Sequence, residues 1–268
     1  MGNCLVTKLN GTVNNPDLPK LGHLWIKYDT TGAMPYNGSY SNRLSVQKEN
    51  NAWVTDSLVL YADDGSTVIQ SRQADADGNG YIAPSESLTK GYFDIKDKYG
   101  ITNFGAMPNN MSNQIAPIKI MLDDVKYLPK LEYIRFGGSH ITGNAIDIFR
   151  SFVNFPNMKG FTLWSSYGVT GNLADFGPYI GLNTLSFKYT NVSGTIESLI
   201  EAQVAAGRVS GTLLIYEPSL DKCSFHGVMP WGMQIVIVFE ANAAYVRQGS
   251  SEGALLATYA NGTWTYEF

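Results

Sequence analysis

The apolar positions of the chain follow two different patterns. Over residues 24–115 they fall in short runs separated by polar turns. Leu24–Tyr28, Leu44–Gln47, Leu58–Tyr61 and Tyr92–Ile95 read as strands, short and rich in apolar, β-branched and aromatic residues. Asp63-Asp64-Gly65 is a tight-turn signal, so Leu58–Tyr61 and Thr67–Gln70 predict a hairpin. Residues 1–23 are polar and rich in Asn, Gly and Pro, and predict an extended arm or lead-in strand. A small β-rich domain is expected over 24–115.

From about residue 120 the apolar residues recur with a longer period. Leu128, Leu131, Ile134, Phe136 and Ile141 precede Thr142-Gly143-Asn144. Phe155, Met158, Phe161, Leu163 and Val169 precede Thr170-Gly171-Asn172, and Leu182, Leu185, Phe187 and Val192 precede Ser193-Gly194-Thr195. The equivalent glycines are spaced 28 and 23 residues apart. A degenerate fourth unit runs from Val209-Ser210-Gly211-Thr212 into Leu213-Leu214-Ile215. Periods of about 20–29 residues with this apolar spacing are the signature of leucine-rich repeats. One strand-and-turn unit cannot bury its own apolar side, whereas stacked units bury a continuous ladder. The recurring Gly marks a corner that few other residues tolerate. The expected fold class is α+β, mostly β: a short leucine-rich repeat solenoid over 116–220 with flanking β-rich domains.

Ile196–Ala206 predicts a helix, with Ile196, Leu199, Ile200, Gln203 and Val204 on one face and Gly207 as its stop. Ser198 and Glu201 have capping-box spacing but lie inside the apolar pattern. Ile235–Phe239, Ala244–Arg247, Leu255–Tyr259 and Thr263–Phe268 predict strands, with Ala260-Asn261-Gly262 as a hairpin turn. This β unit at 221–268 is placed to cover the last apolar coil, which a solenoid requires.

The corner triplets Ile141-Thr142-Gly143, Val169-Thr170-Gly171 and Val192-Ser193-Gly194 resemble those of leucine-rich repeat proteins of Bacteroidetes and their phages. Ser193-Gly194-Thr195-Ile196-Glu197-Ser198-Leu199, continuing through Ala202 to Arg208, looks particularly like them. The opening Cys4-Leu5-Val6-Thr7-Lys8-Leu9-Asn10-Gly11 and Leu18-Pro19-Lys20-Leu21-Gly22 is similar to the starts of virion-associated proteins of crAss-like phages and related prophages. The resemblance implies a virion component such as a head fibre, a capsid decoration or a tail-associated protein, with residues 1–23 as the candidate anchor. The repeats depart from the family pattern at Trp164, Tyr167 and Tyr189, where small polar residues are usual.

Composition narrows the function classes. A net charge of −4 gives no electrostatic reason to bind nucleic acid or an anionic membrane. No run of 18 apolar residues exists, so no membrane-spanning helix is expected, and residues 1–20 contain no apolar stretch of signal-peptide type. Synthesis without Sec export is expected, which fits a particle assembled in the bacterial host cytoplasm. Cys4 and Cys223 belong to no disulfide framework and read as idle thiols.

Two constellations could carry binding chemistry. Asp75-Ala76-Asp77-Gly78-Asn79-Gly80-Tyr81-Ile82-Ala83-Pro84-Ser85-Glu86 fits the calcium-loop pattern at its defined positions. Asp75, Asp77 and Asn79 would supply side-chain oxygens, Tyr81 its carbonyl and Glu86 two oxygens to a calcium ion. The flanks are strand rather than helix, and the same residues also suit a plain turn. The second constellation is the concave side of the repeats. There Tyr133, Arg135, Thr162, Trp164, Ser186, Lys188, Leu214 and Tyr216 alternate with buried positions. Trp164 and Tyr216 are expected to stack on a sugar, to pack against a partner, or to pack against the chain's own β units.

Catalytic machinery is thin. His23, His140 and His226 have no zinc-type spacing, and no nucleophile elbow or phosphate loop occurs. Asp63-Asp64 and Asp123-Asp124 are neighbours in sequence, so on strands they would point to opposite faces. The expectation is a non-enzymatic virion structural protein that presents a repeat surface to other virion proteins or to a host surface glycan or protein. The alternative is a bacterial leucine-rich repeat adhesin. A homo-oligomer is expected, with dimers or trimers favoured by closed symmetry.

Overall fold

A computed structural model describes residues 22–29, 42–48, 58–72, 79–82, 90–96, 98–108, 125–137, 141–216, 222–227 and 234–267. Most of the expected arm lies outside them, as do Cys4, His140, Asp75, Asp77 and Glu86. The described residues are mostly strand, with two α-helices, so the class is α+β and mostly β.

The first part contributes β1 (Leu24–Asp29), β2 (Asn42–Lys48), β3 (Leu58–Ala62), β4 (Val68–Arg72), β5 (Asn79–Ile82), β6 (Lys90–Ile95) and β7 (Ile101–Pro108). The repeats contribute β8 (Tyr133–Gly137), β9 (Thr142–Asn144), α1 (Ala145–Ser151), β10 (Gly160–Trp164), β11 (Gly168–Asn172), β12 (Thr184–Ser186), β13 (Asn191–Thr195), α2 (Ile196–Ala205) and β14 (Thr212–Tyr216). The last part contributes β15 (Cys223–Ser224), β16 (Gln234–Glu240), β17 (Ala243–Gln248), β18 (Leu255–Ala260) and β19 (Thr263–Tyr266).

The long period of the repeats becomes two parallel ladders. In the first, β8, β10, β12 and β14 pair in register, so that Ile134, Phe161, Leu185 and Ile215 align as one buried row. In the second, β9, β11, β13 and β15 pair in parallel as a four-stranded sheet. Between the two lies an aromatic stack. Phe149 meets Phe161, Phe176 and Tyr179 edge-on at centroid distances of 5.3, 5.7 and 4.9 Å.

The corner triplets serve two purposes. Their glycines Gly143, Gly171 and Gly194 have φ of +119°, +135° and +112°, a region that side chains resist. The residue after each glycine caps the helix or turn that starts there. Asn144 accepts from the Ile146 N–H at the start of α1, and Thr195 accepts from the Ser198 N–H at the start of α2. Asn172 does the same for the 3-10 turn at Leu173–Phe176. Thr195, and not the Ser198–Glu201 pair, is therefore the N-terminal signal of α2. Gln203 lies fully buried on that helix because its amide donates to the Phe176 and Tyr179 carbonyls. Arg208 comes after it and is also buried. Its guanidinium donates to Gln203 Oε1 and to the Leu182 and Thr212 carbonyls, each at 2.7 Å. Burial pushes its pKa down to about 10, which leaves it charged at neutral pH.

The first ladder continues beyond the repeats in both directions. β7 pairs in parallel with β8, and β2 and β5 add antiparallel strands beyond it. At the other end β16 pairs antiparallel with β14, followed by β17, β18 and β19. The result is one eleven-stranded sheet ordered β19-β18-β17-β16-β14-β12-β10-β8-β7-β2-β5. Hydrogen-bonded sheet thus crosses both expected domain boundaries, near 115 and near 220. A separate antiparallel sheet, β1-β6-β3-β4, adds Leu24, Ile26, Leu58, Leu60 and Phe93 to the same apolar core. The last hairpin folds back onto α2, where the Trp264 indole N–H donates to Glu201 Oε1 at 2.8 Å.

Candidate functional site

Strand alternation fixes which side chains leave the core. On β8, Ile134 and Phe136 are buried, Tyr133 is half-buried and Arg135 is exposed. Parallel register carries this division across the ladder. One outward row reads Gln47, Asn103, Tyr133, Gly160, Thr184 and Leu214. The next reads Gly105, Arg135, Thr162 and Ser186. The residues expected on this face are therefore brought together, but not in the way the spacing suggests.

Of the readings open for Trp164, an exposed stacking surface or packing against the chain itself, its environment favours the second, since it is only 8% exposed. Its indole N–H donates to Ser186 Oγ, and the Ser186 hydroxyl donates in turn to the Tyr216 carbonyl. Its ring stacks on Tyr216 at 5.7 Å and 19°. The indole therefore spends its polar group and one face inside the protein, and Ser186 is buried beneath it. Thr162 is also buried, at 5% exposure. Tyr216 is half-buried, as is Lys188, whose ammonium lies 5.3 Å from the Tyr189 ring centroid.

The accessible part of the face lies nearer its N-terminal side. Val46, Gln47, Asn103, Phe104, Gly105 and Tyr133 through Arg135 line a hollow of about 310 Å³ with Gly160, Thr162 and Thr184. Gly105 and Gly160 are the positions paired on one side of Arg135 and of Tyr133. A Cβ at Gly160 would lie 2.4 Å from Tyr133 Cδ1, so the tyrosine ring occupies the space that a side chain there would need. The ring is tethered at its far end, where Asn183 Nδ2 donates to the Tyr133 hydroxyl oxygen at 3.0 Å.

The polar groups of the hollow differ in their commitments. Asn103 Nδ2 donates to Gln47 Oε1 at 2.6 Å, and the Thr184 hydroxyl bonds Asn183 at 3.3 Å. Arg135 makes no hydrogen bond or ion pair among the described residues. Glu132, just before β8 and outside the hollow, is held by Lys159 Nζ at 2.8 and 2.9 Å. That bond raises the Lys159 pKa above its ordinary value and keeps the pair as a closed unit at the strand starts. Such a surface can accept an anion, present hydroxyl partners and offer one aromatic ring.

Sequence reasoning missed the half of the hollow contributed by β2 and β7. Ile101–Pro108 has no two-residue alternation and ends on Pro, so it gave no strand signal. The one usable hint was Phe104, which takes the place in the buried row that Ile134 and Phe161 take in the repeats.

The calcium-loop expectation falls partly outside the described residues, since Asp75, Asp77 and Glu86 are not among them. Asn79 and Tyr81 lie in β5, paired with Gln47 and Ser45 of β2. Among the described residues no group of three or more His, Cys, Asp or Glu side chains could hold a metal ion. No helix among them is long and apolar enough to cross a membrane. No protein-family model matches the chain, and no curated protein or solved structure matches it either.

Proposed function

We propose that residues 128–216 form a short leucine-rich repeat solenoid and that the chain is a non-enzymatic binding protein whose ligand meets the outward face of the eleven-stranded sheet. One observation carries this reading. The outward rows are largely polar and aligned strand by strand over an unbroken apolar row, and they enclose a hollow lined by an aromatic ring and an arginine with no hydrogen bond or ion pair among the described residues. Supporting the solenoid are the two parallel ladders and the positive-φ glycine that turns each corner between them.

The biological setting rests on the resemblance at the chain's start. In this reading the protein is a phage virion component, assembled in the host cytoplasm, that attaches to other virion proteins through residues 1–23. It presents the repeat face to a host surface. Mass spectrometry of purified phage particles tests the setting, and the chain is expected among the structural proteins. Recovery only from the host envelope would favour the adhesin reading instead. For the face, Arg135→Gln and Tyr133→Ala are expected to lower binding of the purified protein to host cells at least tenfold (about 1.4 kcal/mol). Binding that both variants leave unchanged would remove the hollow from the function.

From the oxygen spacing in the sequence we further propose that Asp75, Asp77, Asn79, Tyr81 and Glu86 supply ligands to a calcium ion. Calorimetric titration with calcium is expected to release heat that Glu86→Gln removes, and a flat titration ends the idea.

A further inference from the structure

We propose that the hollow between Tyr133 and Arg135 binds the ring of an acidic sugar, with the sugar carboxylate on the Arg135 guanidinium. This rests on reading the face as a ligand-binding surface and goes on to name the ligand chemistry.

The two large side chains of the hollow lie two residues apart on one face of β8. At about 3.3 Å per residue their Cα atoms are about 7 Å apart, a span that one substituted sugar ring can bridge. Each has a glycine on one side, Gly105 beside Arg135 and Gly160 beside Tyr133, and a smaller polar residue on the other, Thr162 and Asn103. The Tyr133 ring is set before any ligand arrives, packed over Gly160 and tethered by Asn183. A preset aromatic ring stacks on the C–H face of a sugar with little further loss of side-chain freedom.

Arg135 supplies the sign of the ligand. It is exposed and makes no hydrogen bond or ion pair among the described residues, and no carboxylate is among the residues that line the hollow. A guanidinium fork matches a carboxylate with two parallel hydrogen bonds. The Asn103–Gln47 bond uses the Asn103 nitrogen and the Gln47 oxygen. It leaves the Gln47 nitrogen as a donor and the Asn103 oxygen as an acceptor. A donor beside an acceptor is the pairing that neighbouring sugar hydroxyls require.

A peptide suits the hollow less well. The strands beneath it are interior strands of the sheet, whose backbone groups are spent on the ladder. Among the described residues the hollow itself offers a peptide no strand edge to extend, so recognition in it goes through side chains. The volume of about 310 Å³ is at the low end of the roughly 300–1,000 Å³ of small-molecule sites. It fits a sugar unit and not a folded surface.

Saturation-transfer NMR on the full chain, titrated with glucuronate, N-acetylneuraminate and glucose, tests the inference. At least one acid is expected to bind about tenfold or more tightly than glucose. Arg135→Gln is expected to bring that acid down to the level of glucose, and Tyr133→Ala to remove transfer to both. Arg135 is exposed, so its variant keeps the fold, which an unchanged melting curve verifies. Equal binding of acids and glucose overturns the proposal, as does acid binding that Arg135→Gln leaves intact, or no binding of either acid at millimolar concentration. Arg135-dependent binding of an acidic peptide with no sugar bound overturns it as well, in favour of a protein ligand. In each of these cases host-cell binding that still depends on Tyr133 would preserve the binding face and remove only the acidic sugar.

Discussion

Single residues in this protein are constrained mainly where the chain turns. Gly194 has φ of +112°, and a Cβ there would meet the Asn172 Oδ1 at 2.5 Å. That oxygen caps the Leu173–Phe176 turn, so the new methyl group would strain its own backbone and disturb a neighbouring cap. Gly194→Ala is expected to cost roughly 1–3 kcal/mol in denaturant unfolding. Gly181→Ala meets nothing within 4 Å and is expected to stay within about 0.5 kcal/mol of the parent. A second residue-scale effect concerns pH. Asp64 accepts from the Thr67 hydroxyl and from the Thr67 and Ser66 N–H groups, which lower its pKa from 3.8 to about 2. A carboxyl with a depressed folded pKa stabilises the turn above its unfolded value and loses that effect as pH falls. Order in the β3–β4 hairpin is therefore expected to decline between pH 3.8 and about 2, read from Thr67 amide exchange. An Asp64→Asn variant should show no such step.

At the level of elements, packing between the ladders outweighs intrinsic preference. α1 has seven residues, too short to persist alone in water. It is held by Ala145, Ile146, Ile148 and Phe149, which bury its inner face, and by the Asn144 cap. Phe149 is fully buried and meets Phe155, Phe161, Phe176 and Tyr179. Phe149→Ala is expected to cost about 3–5 kcal/mol in chemical denaturation. A loss under 1 kcal/mol would mean that the aromatic stack does not hold the ladders together. The strands were readable where alternation or turn chemistry was strong, as in β3–β4 and β16–β19. β7 was not readable, because Asn103 and Gly105 face a polar hollow while Thr102, on the other side, interrupts the apolar face.

For the whole molecule, the continuous sheet matters more than the division into parts. β7 joins the N-terminal strands to β8, and β16 joins the C-terminal strands to β14. The apolar core likewise runs without a break from Leu24 to Ala257. Calorimetry on the full chain is therefore expected to show one cooperative transition for the described residues. Separate transitions for the flanking β units would show that the shared sheet does not couple them. The same continuity places the hollow across a junction, with Gln47 and Asn103 from the N-terminal strands and Tyr133, Arg135 and Thr162 from the repeats.

The features that the sequence determined by itself were local. The glycine of each corner triplet, the apolar row Ile134–Phe161–Leu185–Ile215 and the Asp63-Asp64-Gly65 turn depend on backbone preference and on alternation, which act over a few residues. In the paired register Tyr133, Arg135, Thr162 and Ser186 fall in neighbouring rows of one sheet face, with Thr162 and Ser186 buried. Only the tertiary structure decided which of them a ligand could reach. Alternation specifies the direction of a side chain, whereas exposure depends on neighbours that arrive from distant parts of the chain. Trp164 points outward and is closed off by Ser186 and Tyr216 from the two following strands. Tyr133 and Arg135 point the same way and are half-buried and exposed, each with a glycine paired on one side, Gly160 and Gly105.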